Sequence, residues 1–280
     1  MNGTLYLCAT PIGNLGDITE RVLQTLNEAD MIACEDTRGS LRLLSHFDIH
    51  TPMTSYHEFN KYDKAHTIIG MLREGKNVAL ITDAGTPVIS DPGEVLVRMC
   101  REEGINVTSL PGPCACITAL SLSGIPGRRF CFEGFLPHDK KERAFVLTEL
   151  KRESRTIILY EAPHHLKATL SVLYETLGDR EIAICRELTK RFEEVKLTTV
   201  CEALGFYEEN EPRGEYVLVA AGRDPEEAAS EERRKYEELT IEEHVKQYED
   251  GGMDHKAAMK QAALDRGIPK REIYNALHKT

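Results

Sequence analysis

The stretch Leu80–Gly93, LITDAGTPVISDPG, decides how this sequence folds. It contains the end of a short apolar run, Asn77–Thr82 (NVALIT), that reads as a strand. The run stops at Asp83, and the small or turn-forming residues Ala84, Gly85, Thr86 and Pro87 follow at once, then Val88, Ile89 and Ser90. In open α/β sheets, ligands bind just beyond the carboxyl ends of the strands. At such a place Asp83 accepts hydrogen bonds from a polar ligand, while Ala84 and Gly85 leave backbone N–H and C=O groups uncovered. The competing reading is a purely structural Asp-Ala-Gly turn.

Two more strand exits have the same character. The run Thr4–Thr10 (TLYLCAT) leads into PIGNLGD, whose Gly13 and Gly16 allow unusual backbone angles or close approach of a ligand. This is neither G-x-G-x-x-G nor a phosphate-binding G-x-x-x-x-G-K-[ST], so a dinucleotide or nucleoside triphosphate has little support, and simple turn closure competes with a ligand role. A helix follows, with Asp17 as its expected cap, Glu20 completing a capping box, and Ile18, Val22, Leu23 and Leu26 on one apolar face. The third exit, SLPGPCACITA, again sets Pro and Gly before a small-residue helix, which begins near Pro113 and ends at Gly124. Three such exits suggest one shared cleft.

Further strand-like runs are MIACE, INVTSL, RFCFEGF, TIILYEA, EIAICREL and EYVLVAAG, alternating with helix-like segments such as HLKATLSVLYETLG, which stops at Gly178. The expected class is therefore α/β, with strand-helix units around mainly parallel sheets. Gly and Pro cluster at residues 123–130, which separates an N-terminal α/β domain, 1–124, from a second, 125–225, that completes the cleft. Residues 226–250 are acidic and poor in aliphatics, as a linker or solvated helix is. The remainder, 251–280, carries six basic residues (Lys256, Lys260, Arg266, Lys270, Arg271 and Lys279) against three acidic ones. Its Ala258, Ala262, Ala263 and Leu264, the turn GIPK, and Ile273, Tyr274 and Leu277 outline a helix-turn-helix. Lys256, Lys260, Lys270, Arg271 and Tyr274 are its candidates for phosphate contact and base stacking.

Composition bounds these readings. A length of 280 residues accommodates two packed units, and no window nears the roughly 18 uninterrupted apolar residues of a membrane span. The N-terminus shows no basic-then-apolar signal, and the eight cysteines, none in a C-x-x-C pair, are expected as reduced, mostly buried thiols of a cytoplasmic protein. A net charge of −11 opposes indiscriminate binding to nucleic acid while leaving room for a locally basic surface. No residue cluster has the spacing of a structural zinc site.

Read together, LYLCATPIGNLGDITER, ACEDTR, TDAGTPVISDPG, LPGPCACITALSLSG, YEAPHHL, CRELTKRFEE and GEYVLVAAG resemble, in order and over nearly the whole chain, the ribosomal RNA small subunit methyltransferase I family of the tetrapyrrole methylase superfamily. The tail KAAMKQAALDRGIPKREIYNAL resembles that family's C-terminal helix-turn-helix. The resemblance implies two tetrapyrrole-methylase-like α/β domains in a homodimer, S-adenosylmethionine in the cleft between them, and 2'-O-methylation of a cytidine in the decoding centre of 16S rRNA. It puts donor-binding positions at Thr10, Pro11, Ile12 and Gly13, at Asp83, Ala84, Gly85, Thr86 and Val88, at Ala115 and Cys116, and at Tyr160. The first loop, PIGNLGD, is poorer in glycine than in the wider superfamily, which favours RNA over a tetrapyrrole ring or a modified protein side chain as acceptor.

Methyl transfer from a sulfonium is an in-line displacement, so alignment supplies much of the catalysis. A neutral ribose hydroxyl is a poor nucleophile, and a side chain within hydrogen-bonding reach orients it or takes its proton. Glu35, Asp36 and Arg38 after one strand, and Glu187 and Lys190 after another, are the candidates; surface salt bridges are the competing reading for each. His164 and His165 stand at a helix start, where solvated histidines are common.

Overall fold

Strands β1 (Thr4–Cys8) and β4 (Val78–Leu80) lie side by side in a five-stranded sheet completed by β2 (Met31–Cys34), β3 (Met53–Ser55) and β5 (Asn106–Leu110). The order is β3-β2-β4-β1-β5 and every pairing is parallel. The computed structural model describes residues 1–224, 226, 236 and 239–278. All three residues of β4 are buried, which is why NVALIT reads as an unbroken apolar run. From β1 the chain passes to one side of the sheet and from β4 to the other, so a topological switch point falls between them.

The first helix departs from its expected start. Leu15–Asp17 form a 3-10 turn, Ile18 is extended, and α1 spans Glu20–Glu28 with Thr19, not Asp17, as cap; its hydroxyl accepts from the Val22 N–H at 3.2 Å. Val22 and Leu26 are buried on the sheet, each contributing about 1.5–3 kcal/mol. Helices α2 (Thr37–His46), α3 (Lys61–Arg73), α4 (Glu94–Glu102) and α5 (Ala115–Ser123) follow; α5 ends at left-handed Gly124.

The second sheet contains β6 (Phe130–Phe135), β7 (Thr156–Glu161), β8 (Glu181–Arg186), β9 (Glu194–Thr199) and β10 (Tyr216–Ala220), ordered β6-β7-β10-β8-β9. It is mixed, and only β6–β7 pair in parallel. Helices α6 (Lys140–Arg152) and α7 (Leu166–Leu177) do carry β6, β7 and β8 in one direction, as strand-helix alternation implies. The last strand, reached through α8 (Val200–Glu209), then enters antiparallel between β7 and β8, and β9 closes a hairpin on the edge.

Both sheets belong to one compact unit, Met1–Leu150 with Thr156–Ala221. The second unit comprises Lys151–Arg155 and Gly222–Thr280. Most of the acidic segment before residue 239 lies outside the described residues, but Ile241–Asp250 form a helix, α9, with a Thr240–Glu243 capping box. Its Val245 packs with Ala258, Met259 and Ala262 of α10 (His255–Arg266) and Ile273 of α11 (Lys270–Leu277). Residues 241–250 thus share a core with the two helices joined by Gly267-Ile268-Pro269.

Candidate active site

Three strand exits meet above the switch point. The Thr10 N–H donates to the Gly85 carbonyl at 2.9 Å and the Gly85 N–H returns a bond to the Thr10 carbonyl at 3.1 Å, joining the loops after β1 and β4. Gly85 has φ 87°, a conformation that suits glycine. The third exit is drawn in by Thr86, whose hydroxyl donates to the Pro113 carbonyl at 2.9 Å. Gly112 is needed for that approach, since a Cβ there would stand 2.7 Å from Ala9 Cβ.

Between these loops and the second sheet lies a cavity of about 560 Å³, within the range of roughly 300–1,000 Å³ usual for small-molecule sites. Ile12, Glu35, Asp83, Ala84, Gly85, Thr86 and Ala115 line it from the first sheet's side, and Tyr160 from the second. The other site positions anticipated from sequence are not part of this lining. Thr10 is fully buried, its hydroxyl donating to the Thr82 carbonyl at 3.1 Å, so it forms the floor. Val88, at φ 75°, packs on the first sheet's core. Cys116 is buried and donates its N–H to the Tyr160 hydroxyl at 3.1 Å. Pro11 and Gly13 are not among the lining residues; a Cβ on Gly13 would fall 2.4 Å from Lys190 Cγ.

Of the charged candidates, Glu35 alone reaches the cavity wall. Burial, reinforced by Asp83 and Asp91, raises its carboxyl above the ordinary value. Asp36 instead caps α2 through the Arg38 N–H at 2.9 Å, a bond that holds its pKa down, while Arg38 projects into solvent and pairs with Asp36. The Asp36 N–H donates to Asp83 Oδ1 at 3.3 Å, so Asp36 helps position the Asp83 carboxylate. Lys190 lies behind the wall, 2.9 Å from Glu187 Oε1 and 2.8 Å from Glu215 Oε2. Burial works to lower its pKa, and the bonds it donates to these carboxylates outweigh that, keeping the ammonium charged.

Several lining residues escaped the reading of the sequence: Ser90, Asp91, Cys114, Phe135, Glu161 and Glu215. Burial also raises the Asp91 carboxyl. Glu161 is the best satisfied of the group, accepting from the Ala162 N–H at 2.8 Å and the Thr169 hydroxyl at 2.5 Å. Phe135 and Phe132 meet the Tyr160 ring edge-on, at centroid distances of 5.7 and 4.9 Å, and fix its plane. The His164 and His165 rings lie 4.1 Å apart, tilted at 47° to each other, and both residues are exposed. Phe135 and Glu215 come to the cleft because β6 ends there and β10 begins there.

In the second unit Lys256, Lys260, Lys270, Arg271 and Tyr274 are all exposed, and Tyr274 stacks on His278 at 4.1 Å. Arg266 differs: its guanidinium donates to His244 Nδ1 at 3.0 Å and to the Leu239 carbonyl at 2.6 Å, so this charge is spent inside the unit. Among the described residues, no group of three or more His, Cys, Asp or Glu side chains is arranged to hold a metal ion, and no helix is long and apolar enough to cross a membrane.

Residues 4–204 match the family model of the Tetrapyrrole (Corrin/Porphyrin) Methylases. The chain is 50% identical over 276 residues to the ribosomal RNA small subunit methyltransferase I of Bacillus subtilis strain 168, covering 99% of this chain and 94% of that protein. Among solved structures it is similar in fold to a diphthine synthase, with a TM-score of 0.63 at 13% identity, covering 78% of this chain and 89% of the other. A uroporphyrin-III-C-methyltransferase from Thermus thermophilus is also similar, with a TM-score of 0.56 at 22% identity over 78% of this chain and 94% of that one.

Proposed function

This chain belongs to the tetrapyrrole methylases and, within them, to the ribosomal RNA small subunit methyltransferase I family, and from that premise we propose that it methylates the ribose 2'-hydroxyl of a cytidine in the decoding centre of small-subunit rRNA. The methyl donor is S-adenosylmethionine. The observation that carries the reading is 50% identity over 99% of the chain with a protein of that name. A homodimer working in the cytoplasm fits the same reading. Ile117 and Leu122 on α5 and Leu197 on β9, each 46–49% exposed, offer apolar surface to a second copy.

The cleft's residues fit this donor. Its sulfonium and ammonium are cationic, and Glu35, Asp83, Asp91 and Glu215 line the cavity with carboxylates. Its sugar and base need polar backbone and a flat apolar wall, which Ala84, Gly85 and Ala115 on one side and Tyr160 on the other supply. When bound, the donor contributes an electrophilic methyl carbon on sulfur. The protein's part is alignment: the cleft holds the ribose oxygen in line with the carbon–sulfur bond. The Glu35 carboxylate, the one anticipated catalytic acid at the wall, would take the hydroxyl proton as the donor's carbon–sulfur bond breaks in favour of the ribose oxygen, and its raised pKa strengthens it as a base. Lys190 holds Glu187 and Glu215 in place and is a positioning residue.

The exposed basic residues of α10 and α11 bind the rRNA backbone, leaving chemistry to the cleft. Reversing four charges together (K256E, K260E, K270E, R271E) tests this assignment. Affinity for small-subunit RNA is expected to fall, with a shallower salt dependence, while affinity for S-adenosylmethionine is unchanged. Unaltered RNA affinity would remove these residues from the interface.

A further inference from the structure

Five of the cysteines, Cys8, Cys34, Cys100, Cys116 and Cys185, are buried, and Cys201 is exposed. Cys114 is different in kind, because it lines the cavity and its sulfur lies 3.4 Å from that of Cys116. We infer that Cys114 and Cys116 form an oxidisable thiol pair in the wall of the cleft, with a hydroperoxide as oxidant, Cys114 as the sulfur attacked first and Cys116 as the one that closes the disulfide.

Position assigns the two roles. Cys114 is partly exposed and faces the cavity, whereas Cys116 is 4% exposed and sits behind it. An oxidant entering the cleft therefore meets Cys114 first. Cys114 is also the cap residue of nine-residue α5, with extended backbone at φ −147° and ψ 111°. The hydrogen bond from Cys116 above all favours the Cys114 thiolate, working against burial, which favours the thiol. The same bond holds Cys116 as the thiol. Closing to a disulfide brings the sulfurs from 3.4 Å to about 2.05 Å, a movement within reach of side-chain rotation.

The chemistry balances. The Cys114 thiolate attacks one peroxide oxygen, the O–O bond breaks, and the products are Cys114 sulfenic acid and hydroxide. The Cys116 sulfur then attacks the Cys114 sulfur, expelling the sulfenic oxygen, which leaves as water with the Cys116 proton. The hydroxide takes up the proton that Cys114 gave up on ionising, so two thiols have lost two electrons and hydrogen peroxide has become two waters.

Oxidation acts on the donor cleft through the bond between Cys116 and Tyr160. Drawing Cys116 toward Cys114 disturbs the Cys116 N–H bond to the Tyr160 hydroxyl, and Cys114, Ala115 and Tyr160 are all parts of the wall. The disulfide form is thus the weaker donor binder; this consequence, unlike the thiol chemistry, rests on the methyltransferase reading.

The test uses the reduced full-length chain and hydrogen peroxide below one equivalent per thiol, followed by alkylation and peptide mass mapping. The expected result is loss of two hydrogens from the Cys114–Cys116 peptide, with Cys201 still open to alkylation. In C116S, dimedone captures a sulfenic acid at Cys114; in C201S, the disulfide forms as in the parent. Oxidation of Cys201 ahead of Cys114, or survival of both thiols in the Cys114–Cys116 peptide, overturns the assignment. Calorimetric titration with S-adenosylmethionine then reads the consequence: roughly tenfold weaker binding after oxidation, restored by dithiothreitol. Equal affinity in the two redox forms overturns the coupling to the cleft. Failure of the reduced protein to bind the donor would count against the methyltransferase reading, leaving the thiol map to stand or fall by itself.

Discussion

Replacing Gly13 by alanine strikes the place where the first loop meets the hairpin of the second sheet. The backbone there has no positive φ, so alanine is tolerated locally and the obstacle is space. The new Cβ would lie 2.4 Å from Lys190 Cγ, 2.9 Å from Thr189 Oγ1 and 3.1 Å from the Leu188 carbonyl oxygen. Lys190 must retreat by about 1 Å to reach ordinary contact, against its bonds to Glu187 and Glu215 and a loop already holding Glu187 at φ 51° and Thr189 at φ 65°. Overpacking of this kind costs about 1–3 kcal/mol. The ion pairs are partly exposed and add less than about 1 kcal/mol each. Counting the overpacking alone, at roughly 2–4 °C per kcal/mol, G13A is expected to melt about 2–12 °C below the parent. Gly16 is the control: a Cβ there meets only Asn14 Oδ1, at 3.2 Å, so G16A should stay within about 0.5 kcal/mol. Thermal unfolding by circular dichroism reads both. Equal melting of G13A and G16A would refute the argument that Gly13 is required by the hairpin rather than by the turn.

Y160F removes the acceptor of the buried Cys116 N–H while keeping the ring, and a loss of about 1–3 kcal/mol is expected in urea unfolding; no loss would mean that α5 finds another partner. Glu35, with its pKa raised above 4.5 in the fold, binds a proton more tightly when folded, so its ionisation costs stability as pH rises through that value, and the cost levels off above the folded value. E35Q should therefore melt higher than the parent at pH 8 but not at pH 4, and should abolish the acid limb of the pH–kcat profile. A parallel profile in E35Q would exclude Glu35 as the base.

Much of the first sheet was legible because its signals are local. LITDAGTP joins a buried strand to a turn of small residues, and a parallel strand buried on both faces leaves an unbroken apolar run. The two strands the sequence did not reveal, β3 and β9, lie at sheet edges, one of only three residues and the other carrying solvent-facing polar residues such as Glu194 and Lys196. Insertion of β10 between β7 and β8 is a long-range event that nothing in EYVLVAAG encodes alone. The cleft shows the same division. Asp83, Gly85 and Thr86 follow their strand directly and were visible, whereas Phe135, Glu161 and Glu215 reach the cavity only because the second sheet brings three strand ends to it. Asp36 and Arg38 show the limit of motif reasoning: close to Glu35 in the chain, Asp36 turns away to cap α2 and Arg38 sits exposed in that helix's first turn.

The decisive test of the methyltransferase reading is to incubate the purified protein with S-adenosylmethionine labelled on its methyl group and small ribosomal subunits lacking the modification, then map the label to nucleotide and atom. Label is expected on the 2'-oxygen of a single decoding-centre cytidine. No transfer to small-subunit RNA, assembled or naked, by a protein that binds the donor would contradict it.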